Sequence, residues 1–228
     1  MNTVHGNALY QLLAHSDAMT KIILFILLLS SVICWTIFLY KIIMLTIRVK
    51  QVRYALIQLK EARTIEEVRG VTIHFAKTMP GYLISKQVAL LKGLLEAKGN
   101  QLLLSPAEFE LLKERMEQTV DELVYNQESY LPVLSSSAAA APLLGLLGTI
   151  WGLVHAFVSA SQKQQADIVT MAPGMAEALI TTFAGLLVAL PSLIMYHYLF
   201  ARIRYLEQLL FTLSDRVQWI VLTSLVTH

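Results

Sequence analysis

Three long stretches with at most one charged residue each dominate this chain. They cover 22–40, 131–161 and 173–200, and only the third contains a charged residue, Glu177. A helix that crosses a bilayer needs about 20 predominantly apolar residues. The mean hydropathy of +0.58 and a charged fraction of 15% fit this reading, since ordinary soluble domains are about 25% charged. The sequence therefore predicts an integral membrane protein with three spans.

Composition excludes several other classes of protein. The net charge of +2 comes from interleaved acidic and basic residues, so nothing indicates nucleic-acid binding. The single cysteine, Cys34, cannot form an intrachain disulfide and is interpreted as a small core residue. The first apolar run is too long for the hydrophobic core of a signal peptide and no small-residue cleavage site follows it. It is therefore predicted to be retained as a span.

The positions of lysine and arginine predict the orientation. These residues collect on the cytoplasmic side of membrane proteins. Four follow the first span and two follow the third, whereas the opposite ends offer one each: Lys41, Arg48, Lys50, Arg53, Arg202 and Arg204 against Lys21 and Lys163. The N-terminus and the link between spans two and three are therefore predicted outside, and the middle region and C-terminus in the cytoplasm.

The resulting prediction is an all-α membrane protein whose three transmembrane helices carry long cytoplasmic helical extensions. Its segments are a periplasmic N-terminus (1–20), span one (21–46), a cytoplasmic helical region (47–128), span two (129–161), a periplasmic link (162–172), span three (173–200) and a cytoplasmic C-terminal helix (201–228).

The cytoplasmic region mixes 12 basic and 11 acidic residues over 48–128. The absence of glycine and proline predicts that the first helix continues to about Arg69. Glycines and proline over 70–99 predict turns and short helices. The sequence Ser-Pro-Ala-Glu at 105–108 predicts a helix start, and an amphipathic row follows it: Phe109, Leu112, Met116, Val120 and Leu123. This helix is expected to run straight into span two, with a kink at Pro132.

Spans two and three form a predicted antiparallel hairpin centred near Gln165. Thr149 and Thr182 lie 16 and 17 residues from this centre, so their hydroxyls are expected at the same depth. Glu177 is five residues closer to the link than Thr182, about 7.5 Å by helical rise, near the depth of His155. A lone carboxylate in a span is costly, about 2.5–3.5 kcal/mol on insertion scales, and is a functional-site candidate.

Small residues recur every three or four positions on both helices of the hairpin. Such faces let membrane helices approach closely, and they can equally line a pore. The predicted packing residues are Pro142, Gly145, Gly148 and Gly152 on span two and Gly185 on span three.

Other roles remain open for the polar residues. The threonines could bond only to carbonyls one turn earlier in their own helix. If Pro173 and Gly174 start the third helix, Glu177 lies in its first turn and is favoured by the helix dipole. His155 could be a packing residue or a proton relay to Glu177.

The hairpin resembles the MotA/TolQ/ExbB proton-channel family. APLLGLLGTIWGLVHAFV at 141–158 is similar to the family's second-span motif, and APGMAEALITTFAGLLVALPSLIMYHYL at 172–199 is similar to the third-span motif. Within the family, the residues after the tryptophan motif and the short termini resemble the TolQ branch more than the ExbB branch. The family has a small residue where this chain has Thr181, so both Thr181 and Thr182 are candidates for the pore lining.

The resemblance implies a multi-pass protein of the bacterial inner membrane that assembles into a homopentamer. Spans two and three would line a pore holding single-span TolR- or ExbD-like partners, and a TolA- or TonB-like protein would transmit the work. Protons would be the transported ion, without a cofactor. Thr149, Glu177 and Thr182 would line the pathway, and the proton motive force would energise the envelope in integrity and division (Tol-Pal type) or in nutrient uptake (ExbB type).

Two further classes of function are weighed against the channel. A structural scaffold without proton coupling would use the same residues only for packing. An enzyme is not indicated, because no base lies beside a nucleophile in the predicted hairpin and no metal-ligand or phosphate-loop motif occurs.

Overall fold

The protein folds into helices joined by short connections. The computed structural model describes residues 17–61, 67–68, 70, 73, 75–97, 106–162 and 168–226, and these contain no strand. Five helices make up most of the described chain: α1 (Ala18–Glu61), α2 (Met79–Ala97), α3 (Pro106–Glu128), α4 (Leu131–Gln162) and α5 (Ile168–Val226). The all-helical fold class predicted from the sequence is thus confirmed for these residues.

Three of these helices are long and apolar enough to cross a membrane. The candidate spans lie in Ala18–Lys60, Leu131–Gln162 and Met171–Ile220. Many large apolar side chains on them are exposed, for example Phe25 at 65% and Ile194 at 69%. Such a surface is stable where lipid or other protein covers it. The chain is therefore a membrane protein; the direction in which its termini point stays a prediction.

The contacts divide the chain into two compact units. The first contains Met1–Leu39 and Tyr130–Tyr198, and thus the beginning of α1, all of α4 and the first half of α5. A cluster of buried apolar residues joins the three helices: Ile23, Leu27, Ala141, Val188 and Ala189. Span one therefore packs against the hairpin of spans two and three within this unit.

The second unit contains Tyr40–Ser129 and Leu199–His228. Its core is built from one apolar stripe on each helix, with Val52 on α1, Ile84 on α2, Met116 on α3 and Leu210 on α5 fully or almost fully buried. The predicted amphipathic row on α3 forms part of this core, since Leu112, Met116 and Val120 are buried while Phe109 and Leu123 are half-buried.

The connection from α3 to α4 differs from the prediction of one helix with a kink at Pro132. Ser129 and Tyr130 form a turn, and Tyr130 has a φ of 72°, a left-handed conformation that ends a helix. Pro132 follows as the second residue of α4, where its missing N–H is not needed. The two helices are therefore separate.

Two further predictions are wrong in detail. The stretch expected to form turns and short helices contains the 19-residue helix α2, because Pro80 occupies its first turn, where proline is tolerated. α5 begins at Ile168 rather than Pro173. α1 is described as far as Glu61; part of its predicted continuation to Arg69, the serine before α3 and the centre of the link at Gln165 lie outside the described residues.

Candidate functional site: the hydroxyl and carboxyl groups of the membrane hairpin

Glycines bring α4 and α5 into backbone contact. A Cβ atom added to Gly185 would lie 2.6 Å from the carbonyl oxygen of Ala141, and one added to Gly145 would lie 2.9 Å from that of Thr181. Gly148 faces the Thr181 side chain and Gly152 faces Ala178 in the same way. Four of the five predicted packing residues therefore lie at the helix contact, while Pro142 is half-buried in α4.

The close approach places three threonine hydroxyls in one cluster. Thr149 Oγ1 and Thr182 Oγ1 are within hydrogen-bonding distance of each other, which confirms that they share a depth. Thr149 Oγ1 also lies 3.0 Å from the Ala178 carbonyl oxygen and 3.2 Å from that of Gly145. Because a hydroxyl has one proton, these bonds cannot all form at once, and the protons can be redistributed among several acceptors.

Thr181 and Thr182 differ in their surroundings. Thr181 is fully buried, and its hydroxyl donates to the Ala178 carbonyl in its own helix at 2.7 Å, with the Gly145 carbonyl across the hairpin as a longer alternative at 3.4 Å. Thr182 is half-buried, and its hydroxyl donates across the hairpin to the Gly145 carbonyl at 3.1 Å. Of the two adjacent threonines, Thr182 thus has the side chain that other molecules can reach more easily.

Glu177 lies inside α5 and not at its beginning. It is the tenth residue of this helix, whose first turn contains no acidic residue. The alternative in which a first-turn position stabilises the carboxylate is therefore wrong, because the dipole effect falls off within one turn. Glu177 is half-buried, four residues before Thr181 on the same helix, and forms no hydrogen bond or ion pair with any described residue.

His155 lies one turn closer to the link than Gly152, on the exposed side of α4. In the described part of the chain, its electrostatic partner is Asp17, whose pKa it helps to lower, and no contact joins it to Glu177. The structure therefore does not bring the predicted relay residue and the carboxylate together within one chain.

Asp17 is a site residue that the sequence analysis missed. Its carboxylate accepts hydrogen bonds from Trp151 Nε1 at 2.7 Å and from the Ala18 backbone N–H at 2.9 Å. The bond from Trp151 is the largest cause that lowers the pKa of Asp17. Asp17 thus caps α1 and fixes the tryptophan of the second-span motif. An aspartate directly before an apolar helix is a recognisable capping signal.

The role of Lys41 was also not predicted, since the sequence analysis uses it only as one of the basic residues that follow span one. It is 1% exposed, and its Nζ donates to the Gln127 carbonyl at 2.7 Å and to Ser129 Oγ at 3.3 Å. This cation therefore satisfies one of the last carbonyl groups of α3 and the hydroxyl of Ser129, just after the helix. The sequence does contain a signal for this role, because apolar residues resume directly after Lys41. A lysine inside such an apolar run has to bond to protein groups.

The chemistry available at the hairpin is that of hydroxyls, carbonyls and one carboxyl group. The described residues contain no group of three or more histidine, cysteine, aspartate or glutamate side chains that could hold a metal ion. The threonine cluster can accept, donate and reorient hydrogen bonds, and Glu177 can take up and release a proton.

Comparison with protein-family models connects this hairpin to known proteins. Residues 87–210, more than half of the chain, match the model of the MotA/TolQ/ExbB proton channel family. The chain belongs to this family. The match includes α4, the link and the α5 segment that carries Glu177, so the motifs recognised in the sequence lie within it.

Curated relatives come from two branches of the family. The chain is 43% identical over 81 residues to the Tol-Pal system protein TolQ of Haemophilus influenzae and 40% identical over 94 residues to TolQ of Pseudomonas aeruginosa. It is 31% identical over 147 residues to the biopolymer transport protein ExbB of Salmonella typhimurium. These matches cover 36%, 41% and 64% of this chain and 36%, 41% and 58% of the relatives. The chain therefore spans about a third to three fifths of the relatives that it matches.

Proposed function

We propose that this chain is a proton-channel and motor subunit that converts the proton motive force into work on the cell envelope. Glu177 takes up and releases protons, and the hydroxyls of Thr149 and Thr182 hold the water or the partner group through which the proton moves. Thr181, fully buried, packs the hairpin and supports Thr182.

The observation that carries this proposal is the cross-helix hydroxyl pair about one and a half helical turns from a half-buried carboxylate. Thr149 and Thr182 contact each other across the hairpin, and Glu177 has no bonding partner among the described residues. A carboxylate in a span is stabilised by facing water or protein, or by protonation. A carboxyl group that exchanges a proton with a passing water or side chain is stabilised by protonation while it holds the proton. After releasing the proton, it is stabilised by the water or protein that it faces.

The working assembly is proposed to be a homopentamer in the bacterial inner membrane, with the N-terminus outside and the C-terminus in the cytoplasm. Single-span TolR- or ExbD-like partners would sit in the pore, where an acidic side chain could exchange protons with Glu177, and a TolA- or TonB-like protein would transmit the work. The apolar surface exposed on all three spans supports an assembly in which lipid and neighbouring subunits cover it.

The envelope process is proposed to be of the Tol-Pal type, which supports integrity and division. ExbB of Neisseria gonorrhoeae is 42% identical over 69 residues, but over the longer matches identity to the two TolQ proteins exceeds identity to ExbB of Salmonella typhimurium. An ExbB-type role in nutrient uptake is the alternative, supported by the longer stretch over which that ExbB matches. Complementation separates the two: this chain should restore envelope integrity in cells that lack their Tol-type subunit, or nutrient uptake in cells that lack their ExbB-type subunit.

The test of the site replaces Glu177 by glutamine in cells that otherwise lack the protein. Glu177→Gln keeps the size and polarity of the side chain but cannot titrate, so we expect normal amounts of assembled complex on native gels and loss of envelope function. Glu177→Asp keeps a titratable group and should retain part of the activity. Thr149→Val should fail and Thr149→Ser should function, because only serine keeps the hydroxyl.

The structural-scaffold alternative predicts a different pattern. If Glu177 and Thr149 serve only packing, Glu177→Gln and Thr149→Val should lower the amount of complex in proportion to the loss of function. Full envelope function in a normally assembled Glu177→Gln complex would overturn the proposed role of Glu177.

A further inference from the structure

A cavity of about 540 Å³ lies within the second unit, outside the hairpin site. It is formed by α1, the turn before α2, the first turns of α2 and the end of α3. Its polar lining includes two cationic side chains and no carboxylate among the described residues: Arg48, Gln51, Lys77, Thr78, Asn126 and Gln127. The cavity therefore has the electrostatic character of an anion site.

Arg48 lines this cavity. Its guanidinium is half-buried, and burial lowers its pKa, an effect that the Tyr40 hydroxyl only partly offsets. Neither Arg48 nor Lys77 forms a hydrogen bond or ion pair with any described residue. A partly desolvated guanidinium carries five N–H donors, and leaving them without acceptors is costly. An anion would supply the acceptors.

Gln127 adds a second requirement on the ligand. It is 2% exposed, its amide nitrogen donates to the Leu123 carbonyl at 3.2 Å, and its Oε1 is buried without a partner. This oxygen accepts but cannot donate, so it calls for a hydroxyl or another N–H group. A ligand that matches the whole cavity therefore combines an anionic group with a hydrogen-bond donor, and beside two cations a neutral hydroxyl is favoured over an ammonium group.

The position of the cavity along α1 indicates how deep the cavity lies relative to the membrane. Lys41 is turned into the protein, so the outward surface of α1 remains apolar through Ile43 and Ile47, which are 62% and 51% exposed. Arg48 is the next residue. Because lipid-facing surface ends where charged groups begin, this pattern predicts that Arg48 lies near the boundary between hydrocarbon and headgroups, where lipid phosphates are found.

We propose that this cavity binds a phosphate group with an adjacent hydroxyl, the chemistry of a glycerophosphate, and that in the membrane the group is the headgroup of phosphatidylglycerol. Arg48 and Lys77 bind the phosphate oxygens, as a guanidinium fork does in other phosphate sites. The side-chain oxygen of Gln127, Oε1, accepts a hydrogen bond from the headgroup hydroxyl. The lipid thereby fixes α1 against the end of α3 at the membrane boundary.

The test measures lipid retention by the intact protein. Wild type and variants are reconstituted into nanodiscs with equal amounts of phosphatidylglycerol and phosphatidylcholine, extracted with mild detergent, and analysed by native mass spectrometry for bound lipid. Wild type should retain phosphatidylglycerol selectively. Arg48→Gln should lower its retention about tenfold, the effect of losing charge-assisted bonds. Arg48→Lys keeps the charge but loses the two-pronged guanidinium geometry, so its retention of phosphatidylglycerol should be intermediate. This variant also serves as the test if Arg48→Gln fails to fold.

Lys50→Gln is the matched control. Lys50 is exposed, lies two residues from Arg48 on the same helix and does not line the cavity, so it should change retention by less than about twofold. Equal losses in Arg48→Gln and Lys50→Gln, or no selective retention by wild type, would overturn the proposal. Adding glycerol phosphate during extraction distinguishes the sources: displacement of the lipid identifies a site that soluble phosphates also use, and persistence identifies a site specific to the lipid.

Discussion

Replacing Gly185 by alanine tests the close approach on which the threonine cluster depends. The added Cβ would lie 2.6 Å from the Ala141 carbonyl oxygen and 3.1 Å from Gly145 Cα, both backbone atoms. Since ordinary contact begins at 3.4 Å, α4 and α5 must separate locally by about 0.8 Å. A gap of this size forfeits about a quarter to a half of the dispersion energy of the contact.

The expected change in the free energy of unfolding on Gly185→Ala combines three effects. Overpacking a tight contact costs about 1–3 kcal/mol, and loss of the bond from Thr182 Oγ1 to the Gly145 carbonyl costs about 1 kcal/mol. The higher helix propensity of alanine returns about 1 kcal/mol. The free energy of unfolding should therefore fall by about 1–3 kcal/mol.

Equilibrium unfolding in mixed micelles, with increasing dodecyl sulfate and far-ultraviolet circular dichroism as the signal, measures this change. Gly93→Ala is the matched control, because Gly93 lies inside α2 with nothing within 4 Å of an added Cβ. It should raise the free energy of unfolding by up to about 1 kcal/mol. If Gly185→Ala also leaves stability unchanged or raises it, the backbone contact between α4 and α5 is not formed and the geometry of the threonine cluster is refuted.

Three further contacts give predictions of their own. Lys41→Met leaves the Gln127 carbonyl without its donor and should lower the free energy of unfolding by about 1–3 kcal/mol in the same assay, whereas Lys50→Met should have almost no effect. Trp151 lowers the pKa of Asp17 from 3.8, so their contact contributes above that pH and is lost as the pH falls below it; tryptophan fluorescence should show a transition there that Asp17→Asn removes. The exposed pair of Lys86 and Glu122 at 2.7 Å should give a coupling of about 0.2–1 kcal/mol in a double-mutant cycle that decreases with salt.

The hairpin could be predicted because its constraints are local and periodic. Three apolar runs with at most one charged residue each fix the number of apolar helices, and the spacing of small residues fixes the face on which α4 and α5 meet. Counting residues from the link was enough to bring Thr149 and Thr182 to one depth, since both helices rise by the same distance per residue. These arguments need no knowledge of distant contacts.

The remaining features depend on contacts between residues far apart in sequence. Nothing near Tyr130 in the sequence indicates its left-handed conformation, which separates α3 from α4. The partner of Lys41 is 86 residues away and that of Asp17 is 134 residues away, so pattern reading could flag either charge but not its role. The alternative in which Pro173 and Gly174 start the third helix relied on the preference of proline for that position, whereas α5 starts five residues earlier and contains Pro173 in its interior.

The earlier start of α5 changes how Glu177 can be stabilised. A first-turn carboxylate would be favoured by the unpaired N–H groups of its own helix, and no further partner would be needed. As the tenth residue it is beyond that effect, and the described part of its own chain supplies no donor. A half-buried carboxyl group in this position has three ways to avoid the cost of an isolated charge: bound water, a proton, or a group from another subunit. A channel assembly can supply all three: bound water, a proton and a group from another subunit. In a monomer surrounded by lipid, protonation is the only one of the three that remains.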